Sequence, residues 1–216
     1  MPFSDWQFFS GFARIDYSLD LITPLIGTSS LKALLNNSAG DTSNGVVTVA
    51  SGRTKGIEQG RMRTLIKTDT SGNANKYGVL CLQSTTNVST GTPNGYLLGY
   101  NRTVTDLIIA RFTSQVWSSS ITLASIDAAS WVIQGTIFSF MAEWIVDTAN
   151  LGGVYFAIST GAALDFSDLT VRLKHIDPTG IAHIAGVAEG MCASLVSFTG
   201  GVPAVWYDQT ELYSLQ

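Results

Sequence analysis

The sequence predicts an all-β chain folded as two packed antiparallel sheets. Three observations carry that prediction. Only 13% of the 216 residues are charged, against about a quarter in an ordinary soluble domain. Gly, Ser, Thr and Asn fill the space between short apolar runs. Alternation with a period of two recurs along the chain, and no long helical stripe interrupts it. Two sheets face to face are the economical way to bury about ten to thirteen such strands.

The elements follow in order. Residues 3–26 mix aromatic and aliphatic side chains up to Thr23-Pro24, as an opening strand with an irregular arm would. Residues 27–35, through Leu31-Lys32-Ala33-Leu34-Leu35, suit a short helix. Asn36 to Asn44 reads as a polar turn, with Asn44-Gly45 as its strongest signal. Val46 to Ala50 is apolar and β-branched. Residues 57–68 alternate: Arg61, Arg63 and Lys67 share one face, and Met62, Thr64, Ile66 and Thr68 the other. That is a half-buried strand with one cationic face. Asp69 to Lys76 is a turn, Tyr77 to Gln83 a strand, and Ser84 to Gly95 a polar loop. Tyr96–Asn101 and Asp106–Phe112 make a hairpin.

Thr136 to Val146 places Phe138, Phe140, Ala142, Trp144 and Val146 on one face, so it reads as a long strand. Leu151-Gly152-Gly153 turns the chain into Val154–Ser159. Residues 164–168 form a loop or a single 3₁₀ turn. Leu169–Ile176 stops at the turn Asp177-Pro178-Thr179-Gly180. Ile181–Val187, Met191–Phe198 and Ala204–Leu212 complete the set. The expected organisation is an arm or first strand over 1–30 and a single sandwich domain over 31–216.

A chain of this length buries roughly 70% of the surface it exposes when unfolded, so it needs neither metal nor disulfide to fold. Cys81 and Cys192 each sit in an apolar run and read as buried thiols. The formal net charge is -4, which is the wrong sign for a nucleic-acid binder. The charge is also sorted. Residues 1–119 carry ten basic and seven acidic side chains, and residues 120–216 carry two basic and nine acidic, so the halves stand at +3 and -7. Such a molecule can dock head-to-tail on its own kind. The opening residues show no basic stretch followed by an apolar one, so no secretory signal is expected. For that reason the Asn36, Asn87 and Asn101 glycosylation patterns carry no weight. No run reaches the length needed to cross a membrane as a helix.

Several passages resemble a concanavalin A-like or laminin G-like jelly roll. They are Gly60-Arg61-Met62-Arg63-Thr64-Leu65-Ile66-Lys67, Tyr77-Gly78-Val79-Leu80-Cys81-Leu82, Gly95-Tyr96-Leu97-Leu98-Gly99-Tyr100 and Leu107-Ile108-Ile109-Ala110-Arg111. Trp206-Tyr207-Asp208-Gln209-Thr210-Glu211-Leu212 looks like that family's last strand, returning beside the first. Trp144 and Leu151-Gly152-Gly153-Val154-Tyr155 look like its concave-face hairpin. The likeness covers about residues 45–215. The sparse charge and the Ser, Thr, Gly and Asn content also resemble tailed-phage virion proteins. That resemblance implies a capsid decoration or tail component, located in the virion. It would bind other virion proteins and assemble as a homo-oligomer, a trimer being one arrangement. The jelly-roll resemblance implies the alternative, a lectin-like module for host surface glycans.

An enzyme is not expected. Retaining glycosidases need two carboxylates roughly 5–5.5 Å apart, and the Glu-x-Asp-x-x-Glu string of the fold's lichenase branch is absent here. Glu143 and Asp147 share a strand face but stand about 13–14 Å apart. Asp165, Asp168 and Asp177 read as turn caps rather than calcium ligands. His175 and His183 lack a third ligand for zinc. No Gly-x-Ser-x-Gly or phosphate-binding loop occurs, and no cofactor is expected. Two binding surfaces remain. Tyr96, Tyr100, Trp117 and Trp144 are candidate sugar platforms. For protein docking the candidates are the aromatic arm (Phe3, Trp6, Phe8, Phe9 and Phe12), which either completes the sandwich or clamps a neighbour, and the basic row Arg53, Lys55, Arg61, Arg63 and Lys67. Neither nucleic acid nor membrane is an expected partner.

Overall fold

The alternating segments are strands; some pair with the next strand along the chain and others with strands far away in sequence. The computed structural model describes residues 6–10, 15–22, 24–27, 29–35, 42–49, 57–70, 73–84, 94–113, 120–147, 149–179, 188–196 and 204–215. In chain order the strands are β1 (Trp6–Ser10), β2 (Ile15–Asp20), β3 (Ser30–Leu35), β4 (Thr42–Val49), β5 (Gln59–Thr68), β6 (Asn73–Gln83) and β7 (Gly95–Asn101). There follow β8 (Asp106–Phe112), β9 (Ile121–Asp127), β10 (Ile137–Asp147), β11 (Gly153–Gly161), β12 (Thr170–Asp177), β13 (Ala188–Val196) and β14 (Ala204–Ser214). One sheet runs β1-β4-β13-β6-β7-β8-β9 and the other β12-β11-β10-β5-β14-β3-β2. Their strand pairs are antiparallel.

The inward faces meet in one apolar layer. Strand β5 contributes Met62 and Ile66, β10 contributes Phe138, Phe140 and Trp144, and β11 contributes Phe156 and Ile158. The opposite sheet answers with Tyr77, Val79, Leu98 and Ile109. Within that sheet, β6 and β7 approach so closely that a methyl group on Gly99 would lie 2.2 Å from the Tyr77 carbonyl oxygen. The two cysteines are buried on opposite faces: Cys81 belongs to the inter-sheet core, and Cys192 to a second cluster with Leu80, Leu97, Ile108 and Phe112.

A polar clasp joins the sheets at one end. Asp177 closes β12 and is almost fully buried. Its carboxylate accepts from the Tyr96 hydroxyl of β7 at 2.9 Å and from Arg111 Nη1 of β8 at 3.1 Å. Thr179 donates to it from both its hydroxyl, at 2.7 Å, and its backbone N–H, at 3.0 Å. Burial opposes the charge, but these donors and the guanidinium outweigh it and hold the carboxyl below its ordinary value. The Tyr96 phenol is pushed well up, first by burial and then by its bond to Asp177.

Three sequence expectations are corrected. Residues 30–35 are a strand, because β3 is bonded to β2 on one side and β14 on the other, and two ladders outweigh helix propensity. Asn44-Gly45 lies inside β4, bonded to Ser194 and Ala193 of β13 rather than turning. Strand β9 was not foreseen. It is an edge strand, with a bulge opposite Ile109 and Ala110 that breaks its alternation. The closing strand β14 returns between β5 and β3, not beside the first strand.

The described part of the opening segment completes the chain's own sheets. Strand β1 pairs with β4, so Trp6, Phe8 and Phe9 stand opposite Val49, Val47 and Val46. Strand β2 pairs with β3 across residue 30. Two carboxylates secure this region. Asp208 accepts from Ser30 Oγ at 2.7 Å and from the Ile26 N–H at 2.9 Å. Asp20 accepts from Trp206 Nε1 at 2.8 Å. These contacts tie the described residues of this segment to the chain's own sheets. Phe3 and Phe12 lie outside the described residues.

Gly99→Ala should destabilise the fold by about 2–3 kcal/mol, read by denaturant unfolding, because backbone atoms and not a flexible side chain oppose the new methyl. Asp177→Asn should cost about 1–3 kcal/mol near pH 7, since Arg111 loses its counter-charge. The sign with pH follows from the depressed carboxyl. Its contribution is complete above the unfolded value of about 4 and is lost as pH falls through the lower folded value. Thermal melts should therefore bring native and variant stabilities together on acidification below about pH 4.

Candidate functional site

A cleft of about 610 Å³ opens where the β9–β10 and β11–β12 connections meet the ends of β10, β11 and β12. That lies within the range of about 300–1,000 Å³ usual for small-ligand sites. Its walls include Trp131, Ile133, Ile137 and Phe138 on the apolar side, and Thr136, Thr160, Asp168, Thr170 and Arg172 on the polar side.

Each group is held by local structure. In the β9–β10 connection, Asp127 Oδ1 accepts the Ala129 N–H at 3.0 Å, and the Trp131 and Val132 N–H groups both bond the Ala128 carbonyl at 2.9 Å. Ala128 and Val132 are buried anchors. They fix the turn that carries Trp131 to the cleft. Arg172 is the extra residue of a β12 bulge: Leu173 pairs with Ile158 and Val171 with Ser159, leaving Arg172 between them. Its guanidinium carbon lies 4.5 Å from the Trp131 ring centroid, and its Nε donates to Thr160 Oγ1 at 3.3 Å. Stacking and this bond hold the guanidinium plane in place.

The β11–β12 connection is tied by its own aspartates. Asp168 Oδ2 accepts the Ala162 N–H at 2.7 Å and the Ala163 N–H at 3.1 Å. Asp165 Oδ1 takes the Ser167 hydroxyl at 2.6 Å and its N–H at 3.1 Å. Phe166, in a left-handed conformation, reaches back to within 4.8 Å of the Arg63 guanidinium. Gly161 is tightly enclosed, since a methyl there would meet Asp168 Oδ1 at 2.0 Å and Ser139 Oγ at 2.8 Å. Ser139 is 0% exposed, and its hydroxyl has no hydrogen-bond partner among the described residues.

The residues singled out from sequence fall elsewhere. Tyr96, Tyr100 and Trp144 are 0%, 4% and 0% exposed, so their rings pack in the core and offer no stacking face. Trp144 also donates its Nε1–H to the Ile57 carbonyl at 2.6 Å. Trp117, Arg53, Lys55 and His183 lie outside the described residues. The cationic face of β5 is as foreseen in parity, but it meets partners within the chain. Arg61 Nη2 bonds Glu143 Oε2 at 2.6 Å, and Arg63 Nε bonds Glu211 Oε2 at 2.5 Å. Lys67 Nζ lies 5.5 Å from the Trp206 ring centroid, with Lys32 Nζ at 4.9 Å from the same ring. Glu143 is thereby engaged, and Asp147 caps its turn through the Asn150 N–H at 2.9 Å. Among the described residues no cluster of three or more His, Cys, Asp or Glu could hold a metal ion.

Trp131 and Arg172 were missed. A signal was present: Arg172 and Lys174 are the only basic residues after position 119, and Trp131 stands alone in a turn of small residues.

No family model and no curated protein matches the chain by sequence. Solved structures do match in fold. The exoplasmic/lumenal domain of VIP36, in a Ca²⁺/Man3GlcNAc-bound form, aligns with a TM-score of 0.58 at 11% identity, covering 99% of this chain and 87% of that one. The carbohydrate-binding module CBM66 from Bacillus subtilis aligns at 0.55 and 11% identity, covering 97% and 96%. A PL-14 alginate lyase from Aplysia kurodai aligns at 0.61 and 8% identity, covering 98% and 91%. The fold is accordingly an antiparallel two-sheet sandwich of the concanavalin A-like jelly-roll type, shared by binding domains and by lyases.

Ser139→Ala should leave stability unchanged or raise it by up to about 1 kcal/mol, because it removes a buried hydroxyl that bonds nothing. Equilibrium unfolding measures this, and a loss larger than about 1 kcal/mol would show that the hydroxyl has a partner.

Proposed function

We propose that this protein binds carbohydrate without transforming it, through the cleft bounded by Trp131, Arg172 and Asp168. One observation carries the reading. The cleft lining combines apolar side chains with hydroxyls, one carboxylate and one guanidinium, held on bonded turns and on the ends of strands. A sugar asks for that mixture, with C–H faces against apolar surface and hydroxyls against donors and acceptors. The Man3GlcNAc-bound VIP36 domain and the carbohydrate-binding module CBM66, of the same fold, support it.

Binding is favoured over hydrolysis because Asp168 is the one carboxylate among the cleft's lining residues, whereas a glycosidase needs two. It is favoured over docking in a virion because two of the five cations which that reading would use, Arg61 and Arg63, are paired inside the chain with Glu143 and Glu211.

Titration calorimetry against a panel of oligosaccharides tests the proposal. A binding sugar should lose at least about tenfold in affinity on Trp131→Ala, with Thr170→Val as a milder second variant. If a sugar binds and both variants keep full affinity, the cleft is not the site.

A further inference from the structure

We infer that the cleft selects an acidic sugar, with Arg172 receiving its carboxylate; this rests on the carbohydrate reading above. The inference comes from how the arginines differ. Arg61, Arg63 and Arg111 each meet a carboxylate: Glu143, Glu211 and Asp177. Arg102 and Arg172 meet none within 4.0 Å among the described residues, and of these two it is Arg172 that lines the cleft. Its bonding there is the Nε contact to Thr160 and the stack on Trp131. The two Nη groups are left for a ligand, on a planar fork already held in place.

That is the geometry which recognises a planar carboxylate through two parallel bonds. Ordering the fork in advance removes part of the entropy that binding would otherwise cost. An arginine that makes no ion pair also attracts an anion before contact.

Asp168 bears on the choice of ligand. It lines the same cleft and is negative, so it disfavours an anion near itself. Its carboxylate is committed to the Ala162 and Ala163 N–H groups, and it makes no ion pair with Arg172. The cleft therefore carries one positive and one negative group that are not paired with each other. A ligand that brings a carboxylate to Arg172 and hydroxyls to Asp168 satisfies both groups. A uronic acid residue has that layout, with a carboxylate at one end of the ring and hydroxyls at the other.

Titrations with uronate tetrasaccharides, their methyl esters and neutral tetrasaccharides test this. The native protein should bind a uronate at least about tenfold more tightly than its methyl ester, matching one charge-assisted bidentate contact. Arg172→Gln should abolish that preference while retaining ester binding, and Arg172→Lys should restore only part of it. Equal affinity for acid, ester and neutral sugar would overturn the inference and leave the sugar reading standing. Binding of none of them would overturn both. An acidic peptide bound as tightly as the uronate would overturn the sugar as ligand while keeping the anion site. Melting curves on each variant confirm that folding is retained.

Discussion

Strand β5 is the constraint on which the rest depends. It is bonded along its length to β10 on one side and β14 on the other. Its alternation admits one register only, because a slip by one residue would put Arg61 and Arg63 into the core and Met62 and Ile66 outside. Once β5 is set, its neighbours are set with it. The cations on its outer face then stand beside Glu143 of β10 and Glu211 of β14. Charge that is sorted into halves along the sequence is thus mixed in space. The pairs are 82 and 148 residues apart, and Arg111 and Asp177 are 66 apart. Exposed pairs of this kind add little stability, about 0–1 kcal/mol each. Their effect is to penalise wrong strand neighbours, which would leave like charges side by side.

Much of this was legible in the sequence wherever one face of a strand is buried and the other is not. β5 and β10 satisfy that condition, and their inward and outward residues are as their alternation predicts. The β7–β8 hairpin was legible by a different signal, two apolar runs joined by a short polar turn, and both of its faces are buried. Legibility failed where tertiary neighbours decide. Leu31-Lys32-Ala33-Leu34-Leu35 has the composition of a helix and becomes a strand because two ladders receive it. Asn44-Gly45 is a turn signal only when no partner stands on either side, and β13 stands there. The cleft was hidden for a related reason. Its groups come from a turn near residue 131, a strand end near 160, a loop aspartate and a bulged arginine, and no local pattern links them. Aromatic residues in clear strands drew attention instead, and clear strands are where aromatics are buried.

The cleft's position also follows from the architecture. At the ends of β10, β11 and β12 the ladder is running out, so backbone and side chains are available for something other than the core. The bulge in β12 turns this into a site. One added residue frees Arg172 from the alternation that would otherwise send it to solvent or to the core. The Asp177 clasp, at the far end of the same strand, anchors β12 to the opposite sheet, so the bulge sits on a strand fixed at its other end.

The central place of β14 has a consequence for how the molecule comes into being. It separates β5 from β3, so the second sheet has no continuous middle until residues 204–214 exist. On a ribosome, strands β5 and β10 emerge with an open edge where β14 will lie. At typical elongation rates the interval between completing β5 and completing β14 is on the order of ten seconds. Throughout that wait the backbone edge of β5 that β14 will cover has no strand beside it, a template for pairing with another chain. The polar loops and the charged outer row of β5 then serve the nascent chain as much as the finished one, by keeping an unclosed sheet soluble until its last central strand arrives.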